Sequence, residues 1–434
     1  MFKYKRKTVH ILVIAVLLVA ILVSCGYSTT KTSNIINTTK PAVQLKGDVT
    51  IWCYQTSEDI IKNAAESFKK KYPEVNINLI PLTEEEIKNN YEKNLNSGKD
   101  IPDIIETKTE NVSYFINKYP DKFKDLKNII SSLKSSIFSW RLDELTFDSK
   151  IYAIPWTVNP IVMLYNKKLC DQYNMDPFDF KTWEDFKAAG EDISRKNPSL
   201  KMIALSKENS DNLLKYILRE SSQGLVDSDT GVDISDSAKA ISIIKSLKAS
   251  NLIYDESDSK NELEDLKQGK ALSMLADSRL LKTIFDDASF SWDIERLPAL
   301  EAGGKNSVEG DESSFMLSQG DTENSAALEF AKFIVSDSTV NINALSTTGN
   351  LSSVNDFRYL PAFNSSSNNF GQKKLWRFLM QEASEQTSIK YFGDYEYFSS
   401  MLFDAKSKII YQNADMESSL QDLNKKINEQ GDVN

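Results

Sequence analysis

The chain has 434 residues, 41% of them apolar, and its 52 basic and 62 acidic side chains give a formal charge of −10. This length and apolar share predict a packed body of two or more domains and argue against a disordered chain. Nucleic acid and anionic lipid headgroups are poor partners, because no stretch offers the basic patch that phosphate neutralisation needs.

The first 25 residues combine basic side chains at positions 3, 5, 6 and 7, an apolar run from Ile11 to Val23, and the sequence Leu22-Val23-Ser24-Cys25. The apolar run is too short for a comfortable membrane-spanning helix, which needs about 20 residues, and favours an export signal. The pattern resembles a bacterial lipoprotein signal peptide over residues 1–24. This resemblance implies that Cys25 becomes the lipidated mature N-terminus; the alternative is an uncleaved anchor with an incidental cysteine.

The only histidine, His10, lies in the segment that cleavage would remove. A mature chain without histidine excludes Ser-His and Cys-His nucleophiles and His-ligated metal sites, so no metal or other cofactor is expected. Removal of residues 1–24 also takes away four basic side chains and leaves a formal charge of −14. Cys53 and Cys170 could form a disulfide in an exported protein, but two buried free thiols are the favoured alternative.

The predicted elements begin after a polar, Ser/Thr/Asn-rich tether at residues 25–46. Alternation over 49–54 predicts a strand, and an apolar stripe through Phe68 predicts a helix that starts at a capping box formed by Thr56 and Asp59. Strands are predicted at 75–80 and 101–106, with a helical segment at 84–95 between them. This strand–helix alternation indicates a mostly parallel sheet covered by helices.

Farther along, strands are predicted at 150–154 and 161–165. A helix is expected after Thr182, whose capping partner is Asp185. Amphipathic patterns predict further helices at 238–247, 326–335 and 416–427. No internal repeat at solenoid periods is present.

Short motifs occur in a fixed order over residues 47–429: VTIW at 49–52, FKKKYPEV at 68–75, IPDII at 101–105, KIYAIP at 150–155, LYNKKL at 164–169, KTWEDF at 181–186, QGKALSM at 268–274, WDIERLP at 292–298 and ALEFAKFI at 327–334. Their order resembles the extracellular solute-binding proteins of carbohydrate ABC importers, the family related to maltose-binding protein. There are departures: Ser149 stands where a glycine is frequent, and 349–352 lacks the usual proline. Asp277-Ser278-Arg279-Leu280 replaces a Gly-Pro-Trp-like turn, which removes an expected stacking tryptophan and weakens the case for a maltodextrin ligand.

The resemblance implies an α/β, two-lobed periplasmic-binding-protein-like fold (type II), with hinge-linked lobes and central mixed sheets. Lobe one would comprise residues 47–156 and 315–348, and lobe two residues 160–312 and 355–430. Crossings between the lobes would lie at 155–160, near 313–318 and near 349–363. The two prolines of the first crossing keep it extended.

In open parallel sheets, ligands collect beyond the carboxyl ends of strands. Aromatic faces can pack sugar rings there, and charged groups can hydrogen-bond to hydroxyls. The candidate ligand-binding residues are Trp52, Tyr54, Glu106, Trp156, Asp277, Arg279, Asp311 and Glu312.

Each candidate has a structural alternative. Trp52 and Tyr54 could belong to the core, the pair Asp277 and Arg279 could be a surface turn, and 311–312 could be a solvated acidic loop. Trp183 and Trp292 are predicted to be packing residues. The aromatic cluster at 391–398 predicts either a cleft wall or a helix-entry loop packed on the core.

The resemblance implies a substrate-binding lipoprotein that captures a sugar or oligosaccharide between its lobes and delivers it to ABC permease subunits. It would act as a monomer on the extracytoplasmic face of the cell membrane, held there by its lipid alone. Two alternatives stay open: a ligand-binding partner of a membrane sensor, and a surface glycoside hydrolase. A hydrolase can work with two carboxylates and no histidine, but the motif order argues against it.

Overall fold

The computed structural model describes residues 45–220, 233–254, 261–287, 289–318, 325–391 and 393–431. The predicted signal peptide, Cys25 and nearly all of the predicted tether lie outside these ranges. The strands are β1 (Gly47–Tyr54), β2 (Val75–Leu82), β3 (Ile104–Lys108), β4 (Thr146–Phe147), β5 (Lys150–Ile151), β6 (Ala153–Pro155), β7 (Thr157–Val158), β8 (Pro160–Asn166), β9 (Lys201–Ala204), β10 (Ile253–Tyr254), β11 (Ala271–Ala276), β12 (Trp292–Glu295), β13 (Val308–Glu309), β14 (Ser313–Leu317) and β15 (Leu351–Ser352).

Helices follow most of the strands. They are α1 (Glu58–Lys71), α2 (Glu84–Ser97), α3 (Thr109–Lys118), α4 (Ser139–Glu144), α5 (Lys167–Tyr173), α6 (Trp183–Lys196), α7 (Lys207–Arg219), α8 (Ile234–Ala249), α9 (Glu262–Lys267), α10 (Ser278–Phe285), α11 (Ser325–Ser336), α12 (Ser338–Thr348), α13 (Leu375–Ser384), α14 (Tyr395–Tyr411) and α15 (Met416–Gly431).

The first sheet has the strand order β2-β1-β3-β14-β6. β1 is parallel to β2 and β3, with Gly47 opposite Val75 and Ile51 opposite Ile104. β14 comes from much later in the chain and is antiparallel to β3 and β6. The ends of β1 and β3 therefore meet at one edge of a mixed sheet.

The second sheet has the order β10-β9-β11-β8-β12, and β13 also pairs with β8. β9, β10 and β11 are parallel, whereas β8 runs antiparallel to β11 and β12. Every residue of β8 is buried. A continuous buried run of this kind is typical of a central strand covered on both faces.

The segments that connect the two sheets are hydrogen-bonded to one another. β7 and β15 pair as a short antiparallel ladder. The N–H of Trp156 donates to the carbonyl of Ser313 at 3.1 Å, and the N–H of Ser353 donates to the carbonyl of Trp156 at 2.8 Å. The N–H of Gly310 reaches the carbonyl of Asn159 at 2.7 Å. These bonds join three crossings, at 156–159, 309–313 and 349–354, into one band.

Two hydrophobic clusters fill the body of the protein. One includes Ile51, Phe68 and Phe115 around the first sheet and extends to Leu164 and Trp292 of the second sheet. The other packs around the second sheet and includes Trp183 and Leu213. Both predicted packing tryptophans are buried, Trp183 at 1% and Trp292 at 2% exposure, and they pack in different clusters.

The start of α1 differs from the sequence prediction. The helix begins at Glu58, its N-cap is Ser57, and no side-chain capping bond is present. Residues 55–57 form a short 3-10 turn, and the Ser57 hydroxyl donates instead to Glu106 at 2.9 Å. The predicted capping box at Thr56 and Asp59 is therefore wrong. The capping box of Thr182 and Asp185 at the start of α6 is confirmed.

Cys53 and Cys170 are free and buried. They belong to the separate clusters around the two sheets, so the structure agrees with the free-thiol alternative. Burial raises the pKa of each thiol to about 12. Neither residue is therefore a reactive thiolate at neutral pH.

In the part of the chain that the structure describes, no helix has both the length and the apolar character needed to cross a bilayer.

Candidate functional site

A cavity of about 380 Å³ opens between the two sheets, beyond the ends of β1 and β3. Its walls come from the turn after β1, the start of α2, the end of β3, the three crossings and the start of α10. The described lining residues are Tyr54, Gln55, Thr56, Ser57, Leu82, Thr83, Glu84, Glu106, Lys108, Thr157, Val158, Asn159, Ser278, Arg279, Asp311, Glu312, Ser313 and Asn350. This is the edge at which ligands of open α/β sheets collect.

Glu106 forms the floor of the cavity and is only 1% exposed. It accepts the backbone N–H of Tyr54 and the hydroxyl of Ser57, both at 2.9 Å. Burial raises the pKa of Glu106 to about 7, although both hydrogen bonds act to lower it. Near neutral pH its carboxyl group is therefore divided between a neutral and an ionised form.

Asp311 stands in a chain of alternating charges along the cavity wall. Its oxygens lie 2.7 Å from Nζ of Lys215 and 2.9 Å from Nζ of Lys108. Lys108 also contacts Glu84 at 3.0 Å, and Lys215 lies 3.5 Å from Glu110. Burial acts to raise the pKa of Asp311, but the charges of Lys215 and Lys108 outweigh it and hold that pKa well below its usual range. The side chain is still 39% exposed, so it presents an ionised oxygen to the cavity.

Arg279 projects from the first turn of α10 with 47% of its side chain exposed. Asp277 is the N-cap of this helix and accepts the N–H of Leu280 at 2.8 Å. The same carboxylate accepts Nε of Arg279 at 3.2 Å. Asp277 itself does not line the cavity. It positions Arg279, whose two terminal nitrogens have no hydrogen-bond partner among the described residues.

Gly349 lets the third crossing approach α10. It ends α12 in the left-handed conformation, at φ +78°. A Cβ at this position would lie 2.5 Å from the carbonyl oxygen of Ser278 and 3.1 Å from Cα of Arg279. Only glycine combines this φ with so close a contact. The position of Arg279 at the cavity therefore depends on this glycine.

Two of the predicted binding residues are in the core instead. Trp52 is 8% exposed and packs edge-on against Tyr91 of α2, with ring centroids 6.4 Å apart. Trp156 is 1% exposed and stacks on Phe315 of β14 at 4.8 Å. Neither residue lines the cavity, because helices and strands of the first sheet cover their side chains. The expectation that their rings face a ligand is corrected.

Asp277 is the one other predicted residue that is absent from the described cavity lining. Tyr54, Glu106, Arg279, Asp311 and Glu312 all line the cavity. Tyr54 is the only aromatic residue in the described lining. Among the described lining residues, no tryptophan ring is therefore available to stack on a sugar ring.

Several lining residues were not identified from the sequence. Lys108 was missed because β3 runs two residues beyond its predicted end. Glu84 and Thr83 lie at the start of α2, where a capping box between Thr83 and Glu86 gives a detectable signal. Asn159 and Asn350 lie on crossings and carry no local pattern. The amide oxygen of Asn159 is buried and has no hydrogen-bond partner in the described part of the chain.

The described residues of the aromatic cluster at 391–398 do not line the cavity. Asp394 caps α14 by accepting the N–H of Tyr397 at 3.3 Å. Tyr391 and Tyr395 are buried, with ring centroids 4.9 Å apart. Of the two predictions for this segment, the structure favours the helix-entry loop. Residue 392 lies outside the described ranges.

Among the residues that the structure describes, no group of three or more His, Cys, Asp or Glu side chains is arranged to hold a metal ion.

Two mixed sheets with covering helices, three crossings and a polar cavity between the sheets define a two-lobed ligand-binding protein. The profile of the bacterial extracellular solute-binding proteins matches residues 63–370. The chain belongs to this family.

Similar proteins agree with this assignment. The lactose-binding protein of Rhizobium radiobacter is 22% identical over 347 residues, which are 76% of this chain and 81% of that protein. The arabinooligosaccharide-binding protein of Bacillus subtilis (strain 168) is 25% identical over 221 residues, 50% of this chain and 48% of that protein. The solved structure of the sugar-binding protein MalE from Xanthomonas citri superposes with a TM-score of 0.75 at 15% identity, covering 89% of this chain and 98% of that chain. The predicted two-lobed α/β fold is thereby confirmed.

Proposed function

We propose that this protein captures a carbohydrate in the cavity between its sheets and delivers it to an ABC importer. The observation that carries the proposal is the lining of the cavity, which is almost entirely made of hydrogen-bonding side chains from segments of both sheets. The relatives named for binding lactose and arabino-oligosaccharides support this ligand class.

The side chains suit a neutral, hydroxyl-rich solute. A sugar hydroxyl both donates and accepts, so it can donate to ionised Asp311 while it accepts from the guanidinium of Arg279. Glu106 can donate or accept near neutral pH, and Gln55 and Asn350 add amide groups. With Tyr54 as the single lining aromatic, we expect hydrogen bonds rather than ring stacking to supply most of the affinity.

Capture requires the lobes to close around the solute. The ligand stabilises the closed arrangement by its differential affinity for that state. The lobes that we propose comprise residues 47–156 with 315–348, and 160–312 with 355–430. The hydrogen-bonded crossings between them are suited to act as the hinge.

The N-terminal segment gives the protein its place in the cell. Lipidation of Cys25 would hold a monomeric receptor at the extracytoplasmic face of the membrane, within reach of the permease subunits. Residues 26–46 would then serve as the tether.

We also propose that the protein binds its solute without catalysing a reaction on it, and membership of the solute-binding family supports this. A pKa of about 7 would also suit Glu106 to general-acid catalysis, so the point needs a test. Purified mature protein should release no product from a panel of nitrophenyl glycosides or from lactose. Turnover above that of a Glu106→Gln variant would contradict the proposal.

Ligand binding can be tested by thermal unfolding of residues 26–434. Lactose, arabino-oligosaccharides and β-1,6-galactobiose form the panel, and glycerol serves as the control polyol. A sugar at 100 times its Kd stabilises the folded state by about 2.7 kcal/mol, which raises the melting temperature measurably. The absence of any shift across the panel and a wider set of mono- and disaccharides would overturn the carbohydrate assignment.

A further inference from the structure

The second crossing, residues 309–313 between β13 and β14, is held at both ends by arginines. Arg219, the last residue of α7, donates to the carbonyls of Glu309 at 2.6 Å and Gly310 at 3.3 Å. Arg141 of α4 donates to the carbonyl of Ser313 at 3.1 Å. Because α7 follows a strand of the second sheet, Arg219 belongs to that side of the hinge.

Arg141 is fixed to the first sheet. Its guanidinium donates to Oγ of Ser314 at 3.0 Å and to Oγ1 of Thr109 at 2.7 Å. Ser314 lies in β14, and Thr109 follows β3 directly. A rotation of one lobe against the other therefore changes the separation of the two guanidinium groups.

Glu312 lies between these two guanidinium groups. Its Oε1 is 3.4 Å from Nη1 of Arg141 and 3.8 Å from Nη2 of Arg219. The hydroxyl of Tyr391 accepts from Arg219 and donates to the same oxygen of Glu312 at 3.4 Å. The side chains of Arg141, Glu312 and Arg219 are only 0%, 2% and 6% exposed. Buried charges persist only when they are paired in this way.

Two further carboxyl groups face the same guanidinium groups. Glu144 accepts from Arg141 at 3.1 Å and from the N–H of Ile389 at 3.2 Å. Glu309 accepts the N–H of Asn159. Burial, reinforced by the charge of Glu312, raises the pKa of both Glu144 and Glu309. Among the described residues, Glu144 forms an ion pair with Arg141 only and Glu309 forms none with either arginine, so neither replaces Glu312 as the link between them.

We propose that Glu312 is a hinge-positioning residue that links Arg141 on one lobe to Arg219 on the other. This link sets the angle between the lobes of the ligand-free protein. The contact with Arg219, at 3.8 Å, is the longer of the two, so it is the contact that changes when the lobes move. Only the effect on ligand affinity rests on the proposed function, since the interlobe angle exists without a solute.

The test is a distance measurement between spin labels on opposite lobes of the ligand-free protein. Lys70 of α1 and Lys196 of α6 are exposed, and Lys70→Cys with Lys196→Cys provides attachment points. Cys53 and Cys170 are fully buried, so they do not take up label. Pulsed dipolar spectroscopy then gives the distance distribution in each variant.

Glu312→Gln keeps the shape of the side chain but removes its charge, and Arg219→Lys keeps the charge but removes the forked geometry. We expect both variants to shift or broaden the distance distribution. Glu262→Gln is the matched control, because it removes a buried carboxylate whose hydrogen-bond partners, Ser206 and Asn209, lie outside the three crossings. We expect this control to keep the distribution of the parent protein. Melting curves show that each variant is folded, and Arg219→Lys decides the question if Glu312→Gln fails to fold.

A distribution in Glu312→Gln that coincides with that of the parent protein overturns the proposal. If lactose affinity falls while the distribution is unchanged, Glu312 is a solute contact and the proposal also fails. When both the distance distribution and the lactose affinity change, we expect the Kd of the variant for lactose to differ from that of the parent protein by about fivefold or more. This is the usual range of coupling between a conformational change and ligand binding. Failure of the parent protein to bind any sugar would contradict the proposed function alone, because the distance measurement needs no ligand.

Discussion

The carboxylate of Glu106 accepts the backbone N–H of Tyr54 at 2.9 Å, and this bond ties the ends of two parallel strands together at the floor of the cavity. Tyr54 ends β1, and Glu106 lies within β3. A buried carboxyl group whose pKa is about 7 is thus held in place by the backbone that forms the floor of the cavity.

Glu106 makes stability depend on pH. Its pKa is higher in the folded protein than the ordinary value of 4.5, so the stability that it contributes is present below about pH 4.5 and is lost as the pH rises to 7. The free energy of unfolding of the parent protein should therefore fall by up to about 3 kcal/mol between pH 4.5 and pH 8 because of Glu106, and we expect Glu106→Gln to abolish this part of the decrease. Urea unfolding of both proteins at pH 4.5 and pH 8 measures the difference. Parallel pH dependence in the two proteins would contradict the prediction.

Arg279 is expected to act on affinity and not on stability. Its side chain is half exposed and its terminal nitrogens point to no protein partner among the described residues, so Arg279→Ala removes little packing. The loss of charge-assisted hydrogen bonds should weaken sugar binding by about ten- to a hundredfold. Titration calorimetry with the best sugar of the panel checks this. Arg358→Ala, which removes an arginine that contacts Tyr359 outside the cavity, should leave the Kd unchanged.

Gly349 is expected to affect stability and affinity together. Gly349→Ala introduces a Cβ 2.5 Å from the carbonyl of Ser278, so α10 and Arg279 must move. Gly98→Ala is the matched control, because Gly98 also ends a helix at positive φ but has open space around the added Cβ. The left-handed conformation of the new alanine should lower the stability of both variants by about 1 kcal/mol. Only Gly349→Ala should lose further stability and bind sugar more weakly. Equal losses of stability and affinity in the two variants would contradict this prediction.

Trp156 is expected to act on stability and not on affinity. Trp156→Phe shrinks a ring that is stacked on Phe315, which should cost about 1–3 kcal/mol. Because Trp156 does not line the cavity, the Kd for sugar should change by less than about twofold once the protein is folded. Chemical denaturation and calorimetry separate the two effects. A large loss of sugar affinity in a stable variant would contradict this prediction and show that Trp156 takes part in binding.

Cys25 is expected to anchor the protein. Expression of the full chain in a bacterial host should give a membrane-bound product that incorporates labelled palmitate. Cys25→Ser should abolish both labelling and membrane retention, because the lipid is the proposed attachment. Cys170→Ser is the control and should leave both unchanged, since Cys170 is buried in the folded body.

The sequence predicted the elements with strong periodicity well. Alternation at 49–54 and 75–80 and the amphipathic patterns of the C-terminal helices all correspond to observed strands and helices, because burial on one face imposes the period. The start of α1 was mispredicted because Ser57 donates to Glu106, a residue 49 positions away in the chain. A capping rule that considers only neighbouring residues cannot include such a partner.

Local sequence patterns predicted some residues of the cavity lining and missed others. Tyr54 could be identified because it ends β1, and Glu106 because it ends the strand predicted at 101–106. Trp52 was wrongly expected there, since alternation places it on the same face as Tyr54 but does not reveal that Tyr91 covers it. Asn159 and Asn350 could not be identified, because their place in the cavity depends on pairing between crossings far apart in the chain.

β14 joins segments of the first sheet that lie far apart in the chain. It lies between β3 and β6, yet it leaves the ribosome only after every strand of the second sheet has been made. Until then β3 and β6 have open edges and the first sheet stays divided. Pairing over so long a stretch of chain is slow, so we expect the second sheet to reach its native pairing first. The first sheet then closes late, and the cavity beyond its strand ends is among the last parts of the molecule to take shape.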